Sequence, residues 1–268
     1  MAKRSRKTDD ATVARYQQEG RGVGSGAHYK PWLTVQDVPS QGLAHRIKGW
    51  TTGRLHHLFS NLERDVFYLL DWSQSVLDIR EQYPLLPLEE TESLANEIGV
   101  RHPSNPRTQS SVVMTTDFLL NVDTEIGMIQ QARTVKPSGE LDNPRVLEKL
   151  EIERQYWQTR GVDWGIVTEQ EIPQIQVANI RLLHGYHHIE DRLPDTAWRN
   201  EIIQFLLSRP QSCSVGEAVS DGDAVLQLTS GTTLTVLYHL FAIQQIGFDL
   251  GQPLTNHTEL FCLQEVRQ

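Results

Sequence analysis

Cysteine is nearly absent from this chain. Cys213 and Cys262 are the two among 268 residues, too few for a disulfide framework or a cysteine-rich zinc site. Long apolar runs are missing too: nothing approaches the roughly 20 residues that span a bilayer. The opening MAKRSRKTDD has no apolar signal core, so a cytoplasmic location is expected. Lysine is absent from residues 169–268, where five arginines face twelve acidic residues, a balance of −7. Such a segment is a poor non-specific DNA binder, because that affinity depends on Lys and Arg neutralising phosphates. A protein partner suits it better. A nucleotide cradle is lacking as well. Residues 20–26, GRGVGSG, alternate glycines without a following GK[ST] or a strand-to-helix flank.

What the chain does have is a basic beginning. Residues 1–59 hold ten Lys and Arg against four acids, about +6, on a chain whose net charge is −9. Lys3, Arg4, Arg6 and Lys7 define a flexible arm over residues 1–10 that suits contact with phosphates. Arg21, Lys30, Arg46, Lys48 and Arg54, interleaved with Tyr29, Trp32 and Trp50, suit a surface laid along a DNA backbone. An irregular cap over the core, carrying scattered charges, fits the same residues equally well.

The spacing of apolar residues predicts short helices at 11–19 and 60–70, the second opened by Ser60 with Glu63 three residues on, a capping box. Leu62, Val66, Leu69 and Leu70 form its stripe, with Glu63 and Phe67 at the border. Glu63 therefore either caps the helix or faces the sheet. A strand follows at 76–82, stopped by Pro84 and Pro87, and residues 89–107 read as loop with at most a short helix. Residues 112–120 and 128–136 read as two strands around Glu125 and Ile126. Alternation puts Thr116 with Phe118 on one face and Asp117 with Leu119 on the other. That register sets Asp117 opposite Thr134, with Lys136 two residues along. A metal-dependent phosphodiesterase needs such a pairing, and an ordinary hairpin with an exposed Asp and Lys has it too.

Asn143, Pro144 and Gly161 mark the start and stop of the next helix. Its stripe, Val146, Leu150, Glu153 and Trp157, contains a glutamate that is expensive to bury unless paired with a cation or a metal, so Glu153 either turns inward in support of a site or makes a salt bridge at the edge. A strand at 163–167 closes a mixed sheet flanked by helices, an α/β domain over residues 11–170. Residues 171–268 differ in kind. Helices at 197–207, 215–219 and 232–245 and a hairpin at 248–263 outline a winged helix-turn-helix. His184, His187 and His188, like His56 and His57, lack a companion motif and read as surface or packing residues.

Several stretches in order, namely YKPWLTVQDVPS, HRIKGWTTGRLHHLFSNLE, VLDIREQYPLLP, TTDFLL, VKP and LEKLEIERQYW, resemble the TnsA family. Its members are the endonuclease subunits of heteromeric cut-and-paste bacterial DNA transposases. The likeness covers residues 12–170 and is thin beyond. It implies a restriction-endonuclease-like α/β domain followed by a winged-helix-type domain. It also implies Mg2+-dependent cleavage, with Mn2+ as a substitute, that frees the 5′ ends of a transposable element. An RNase-H-like partner transposase would cut and join the 3′ ends, and an AAA-type ATPase regulator would dock, with the C-terminal domain as the expected contact. By position the resemblance assigns Glu63, Asp117 and Lys136 as catalytic, and Glu153 as a further carboxylate of the site. Glu63, Asp117 and the Val135 carbonyl would hold Mg2+, which binds through one or two carboxylates plus substrate phosphate. Thr134 departs, standing where such nucleases carry an acid or amide, which weakens the case for a second metal. Two other readings are a restriction or junction-resolving nuclease of the same fold, and a non-catalytic transposition assembly adaptor.

Overall fold

The β-formers of residues 115–135 fold into the centre of a four-stranded sheet with order β3-β4-β5-β6. Strands β3 (Val76–Pro84), β4 (Thr115–Thr124) and β5 (Gly127–Val135) run antiparallel, and β6 (Asp163–Val167) joins β5 in parallel. The β4–β5 turn falls between Thr124 and Gly127, centred on Glu125 and Ile126 as their position predicts. This is a computed structural model, and it describes residues 10–37, 43–106, 108–189, 196–209 and 213–262. The arm residues Lys3, Arg4, Arg6 and Lys7 lie outside the described residues. The chain divides into two compact units, Met1–Ile172 and Pro173–Gln268.

In the first unit, α1 (Asp10–Gln18) precedes an antiparallel hairpin of β1 (His45–Lys48) and β2 (Leu55–Leu58), which meets the edge strand β3. Helix α2 (Asn61–Trp72) packs against β2, β3 and β5, while α4 (Pro144–Gln158) packs against β6 and against α3 (Leu88–Glu97). Leu119 and Ala132 of the sheet are buried with Ile152, Tyr156 and Trp157 of α4 and with Leu94 and Ala95 of α3. Helix α3 is a full three-turn element, where the sequence led us to expect mostly loop. Its apolar positions are few, and tertiary packing against α4 stabilises what local pattern does not. Glycine at position 22 has a packing reason: its φ is +77°, and a Cβ there would meet Pro84 Cγ at 2.3 Å. The GRGVGSG run thus fits closely against the end of β3.

The second unit begins with α5 (Gln174–His184), which the sequence reading missed. Asn179 of this helix donates to the carbonyls of Leu250 and Gln252 and accepts from the Leu254 N–H. Three backbone groups of an irregular loop are thereby satisfied. Next come α6 (Thr196–Leu207), α7 (Val215–Val225) and α8 (Thr232–Ala242), and then the two-residue strands β7 (Ile246–Gly247) and β8 (Phe261–Cys262). Helix α7 runs six residues past its expected end at 219, α8 stops three short of 245, and the strands frame the 248–260 loop instead of running through it. Val236, Leu237, Leu240 and Phe241 fill the centre of this unit. Helix α7 approaches α8 at Gly222, where a Cβ would come within 2.7 Å of Thr233. Among the described residues no helix is long and apolar enough to cross a membrane.

Candidate active site

Asp117, near the start of β4, is 9% exposed and held from several sides. Its Oδ2 accepts the Val135 N–H at 2.8 Å and lies 3.3 Å from Lys136 Nζ. Its Oδ1 accepts from Gln82 Nε2 at 3.4 Å. The regular β4–β5 ladder stops at Phe118 and Arg133, and beyond that point the carboxylate takes a strand N–H. Strict alternation fails at the same place. Thr116 hydrogen-bonds Glu153 and Trp157 of α4, and Leu119, three residues on, packs against the same helix. An odd separation cannot share a partner on a regular strand, so the expectation that Thr116 and Leu119 face opposite ways is corrected. Gln82, across from this break, has φ +49°, a left-handed conformation that costs a non-glycine residue roughly 1–2 kcal/mol.

Glu63 reaches the site from the first turn of α2. Ser60 Oγ accepts the Glu63 N–H at 3.0 Å and donates to Glu63 Oε1 at 3.1 Å, while Oε2 accepts the Phe59 N–H at 2.9 Å. The reciprocal bond thus goes to Phe59 and not to Ser60, a variant of the expected box. The buried residues of α2 are Glu63, Val66, Phe67, Tyr68 and Asp71, a face rotated from the expected one so that Glu63 and Phe67 stand within it. Burial and then the Asp117 charge push the Glu63 carboxyl up to about 7.

Lys136 follows β5 and is 30% exposed at its side chain. Besides Asp117, its Nζ donates to the Val135 carbonyl at 2.8 Å. Burial works against the ammonium, but Asp117, Glu153 and Glu63 outweigh it and hold the pKa above the ordinary lysine value. The charges around it thus favour the protonated form of Lys136. Glu153 lies beneath, 4% exposed, with both the Thr116 and Thr134 hydroxyls donating to Oε1. Burial raises its carboxyl to about 7 against the pull of those two bonds. Thr134 thus supports Glu153.

The donor set suits a hard divalent cation. Asp117, Glu63 and the Val135 carbonyl could offer it oxygen atoms, and the Lys136 ammonium bridges Asp117 and that carbonyl. Burial raises both Glu63 and Glu153, and the Lys136 charge pulls each of them down again. Among the described residues no group of three or more His, Cys, Asp or Glu side chains could hold a metal. A set of two carboxylates and a carbonyl, completed by water and phosphate, is the manner of Mg2+ and not of zinc.

Of the cations expected on a DNA surface, the fold engages two internally. Arg21 hydrogen-bonds Glu19, Asp37 and the Trp32 carbonyl, with its guanidinium 3.7 Å from the Tyr16 ring centroid. Arg54, 8% exposed at its side chain, forks onto both oxygens of Glu81 and onto the Ile79 carbonyl. Their position in a basic stretch suggested DNA contact, but Arg21 Nε and Nη1 and Arg54 Nη1 and Nη2 are taken up by protein acceptors, with Arg54 Nε buried beside them and unpartnered. Lys30 is exposed and donates to the Glu19 carbonyl, and Arg46 and Lys48 alternate on the exposed side of β1.

Sequence reasoning missed the polar core behind the site. Glu81 is buried and accepts from Arg54, from the His57 N–H and from His56 Nδ1 at 2.9 Å, while the Thr52 hydroxyl meets His56 Nε2 at 2.7 Å. Burial would raise the Glu81 carboxyl, yet Arg54 and His56 hold it down at about 2. The signal was present: Asp78, Arg80, Glu81 and Gln82 make four polar residues in a strand that buries all of them. Such a run needs partners from elsewhere in the chain.

Two family models match the chain, TnsA-like endonuclease N terminal over residues 73–169 and TnsA endonuclease C terminal over residues 171–250. The transposon Tn7 transposition protein TnsA of Escherichia coli is 48% identical over 268 residues, covering 99% of this chain and 96% of that protein. Asp117, Lys136 and Glu153 fall within the N-terminal match, and Glu63 precedes it.

Proposed function

Since this chain belongs to the TnsA endonuclease family, we propose that it is a Mg2+-dependent DNA endonuclease that cuts the 5′ strands at transposon ends. The observation that carries this reading is the convergence of Asp117, Glu63 and Lys136 around one buried carboxylate, with Glu63 raised to about 7. Asp117 and Glu63 would hold the metal together with the Val135 carbonyl, and Mn2+ would serve in its place. When bound, the ion lowers the pKa of its water and offsets charge on the scissile phosphate. Lys136, kept protonated by the carboxylates around it, neutralises a phosphate oxygen and orients the attacking water. Glu153 and Thr134 fix the floor on which β4 and β5 present Asp117 and Lys136. Arg46, Lys48 and Lys30 are the exposed cations of the basic stretch that meet the DNA backbone, joined by the arm residues Lys3, Arg4, Arg6 and Lys7.

The protein acts on transposon ends beside an RNase-H-like transposase that handles the 3′ strands, and under an AAA-type ATPase regulator that docks on the acidic C-terminal unit. The test is Asp117→Ala assayed with the partner transposase and Mg2+. Nicking of the 5′ strand should disappear while DNA association persists. Intact 5′ nicking removes Asp117 from the chemistry.

A further inference from the structure

A second cationic concavity lies away from the carboxylates. The loop after α3 and the first two turns of α4 enclose a cavity of about 390 Å³ lined by Arg101, Ser104, Gln109, Arg145 and Lys149, together with two prolines. Three cations converge there, and its described lining contains no acidic side chain. On a chain of net charge −9, such a concentration is unusual.

The cavity is a built one. Arg101 donates to Ser104 Oγ at 3.2 Å and to Gln109 Oε1 at 3.1 Å, both neutral partners, so its charge is oriented but not neutralised. Gln109 is held in a left-handed backbone conformation, φ +59°, and its Nε2 donates to the Pro106 carbonyl at 2.8 Å. A non-glycine residue persists there only where its surroundings fix it, and here the conformation aims an amide at Arg101. Arg145 ties the two walls together by donating to the Arg101 carbonyl at 2.6 Å while it also pairs with Glu148. Arg133, Arg154 and Arg160, like Arg145, each face a carboxylate at 2.5–2.7 Å, whereas Ser104 and Gln109 leave the Arg101 charge intact.

We infer that this cavity binds a phosphate of the DNA backbone outside the cleavage site and fixes how the duplex lies along α4. The inference rests on DNA being the substrate. Lys149 precedes Glu153 by four residues on the same helix, about 6 Å of rise. The planar Arg101 fork and the compact Lys149 charge suit an oxyanion with several acceptor oxygens. Neither reads a base, so the contact sets register without choosing sequence.

The experiment compares full-length wild type with Arg101→Gln/Lys149→Gln, leaving Arg145 to hold the loop. The control is Arg154→Gln/Arg160→Gln, which removes the same formal charge from α4 and the turn after it. Duplex binding is followed by fluorescence anisotropy from 0.05 to 0.3 M NaCl, on a transposon-end duplex and on a random one. For one lost contact, the slope of log K against log[salt] should become shallower by about 0.9. If the two proteins bind equally at 1 M salt, that is roughly an eightfold loss at 0.1 M. The loss should be equal on both duplexes and absent from the control. An unchanged slope, or an equal change in the control, overturns the assignment. So does a wild-type-specific rise in Tm with inorganic phosphate that accompanies an unchanged DNA slope, which would make the cavity a free-phosphate site. A wild type that neither binds nor cuts DNA would instead defeat the nuclease reading itself.

Discussion

Replacing Arg54 by Met leaves Glu81 buried without its principal counter-charge. In the wild type the Arg54 and Glu81 side chains are 8% and 1% exposed, joined by both guanidinium nitrogens. Breaking such a pair from one side typically costs about 3–5 kcal/mol, because an uncompensated charge stays inside. The Glu81 carboxyl gives an independent figure. It is held at about 2 against the ordinary 4.5 of a glutamate, and that gap corresponds to about 3 kcal/mol. A depressed carboxyl contributes stability that is complete above its unfolded pKa and is lost as pH falls through the folded one. Wild type should therefore shed this contribution between about pH 4.5 and 2. In Arg54→Met the folded pKa moves above the unfolded value and the sign reverses. The variant's deficit should then shrink as pH falls from 7 to 5. Urea unfolding followed by tryptophan fluorescence suits the measurement, since Trp32, Trp50, Trp72, Trp157 and Trp164 lie in the first unit and only Trp198 in the second. A loss under 1 kcal/mol at pH 7, accompanied by a shallower salt dependence of DNA binding, would refute the reasoning and return Arg54 to the DNA surface.

Other outcomes follow from the same geometry. Glu153 is raised from 4.5 to about 7 by burial, so wild type should lose about 3 kcal/mol as pH climbs through that range. Glu153→Gln should make that slope shallower between pH 5 and 8, leaving the part due to Glu63, and an identical slope in the same fluorescence assay would contradict the placement. Gln82→Gly relieves the left-handed backbone but deletes the amide beside Asp117. Stability should stay within about 1 kcal/mol, while metal affinity or cleavage falls roughly 10–100-fold, as a Mg2+ titration of the nicking rate would show. Gly222→Ala crowds Thr233 of α8 and should destabilise the second unit by about 1–3 kcal/mol, read from the Trp198 signal with the other tryptophans replaced by Phe.

Regular elements were legible where local chemistry was strong. Asn143 and Pro144 announced α4, and the turn at Glu125–Ile126 fixed the hairpin register. Helix α5 was not legible, because its boundaries carry weak signals and Asn179 serves a loop some seventy residues away. At the site, Glu153 stood out because a carboxylate interrupts an apolar stripe. Gln82 could not stand out, since its importance lies in a backbone angle and a partner 35 residues distant. Arg54 shows the reverse error. A cation between glycine-rich and aromatic residues looks like a DNA contact until the fold supplies Glu81. Charge in a sequence reports composition, whereas its availability depends on which partners folding brings within reach.

The central claim is that Glu63 and Asp117 belong to one nuclease site. Its most direct test labels the 5′ and 3′ strands of a transposon-end duplex separately. Wild type, Glu63→Gln and Asp117→Asn are each assayed with the partner transposase and Mg2+. Both variants should lose 5′ cleavage, by at least 100-fold, while 3′ cleavage by the partner continues. Retention of 5′ cleavage in either variant would contradict the account.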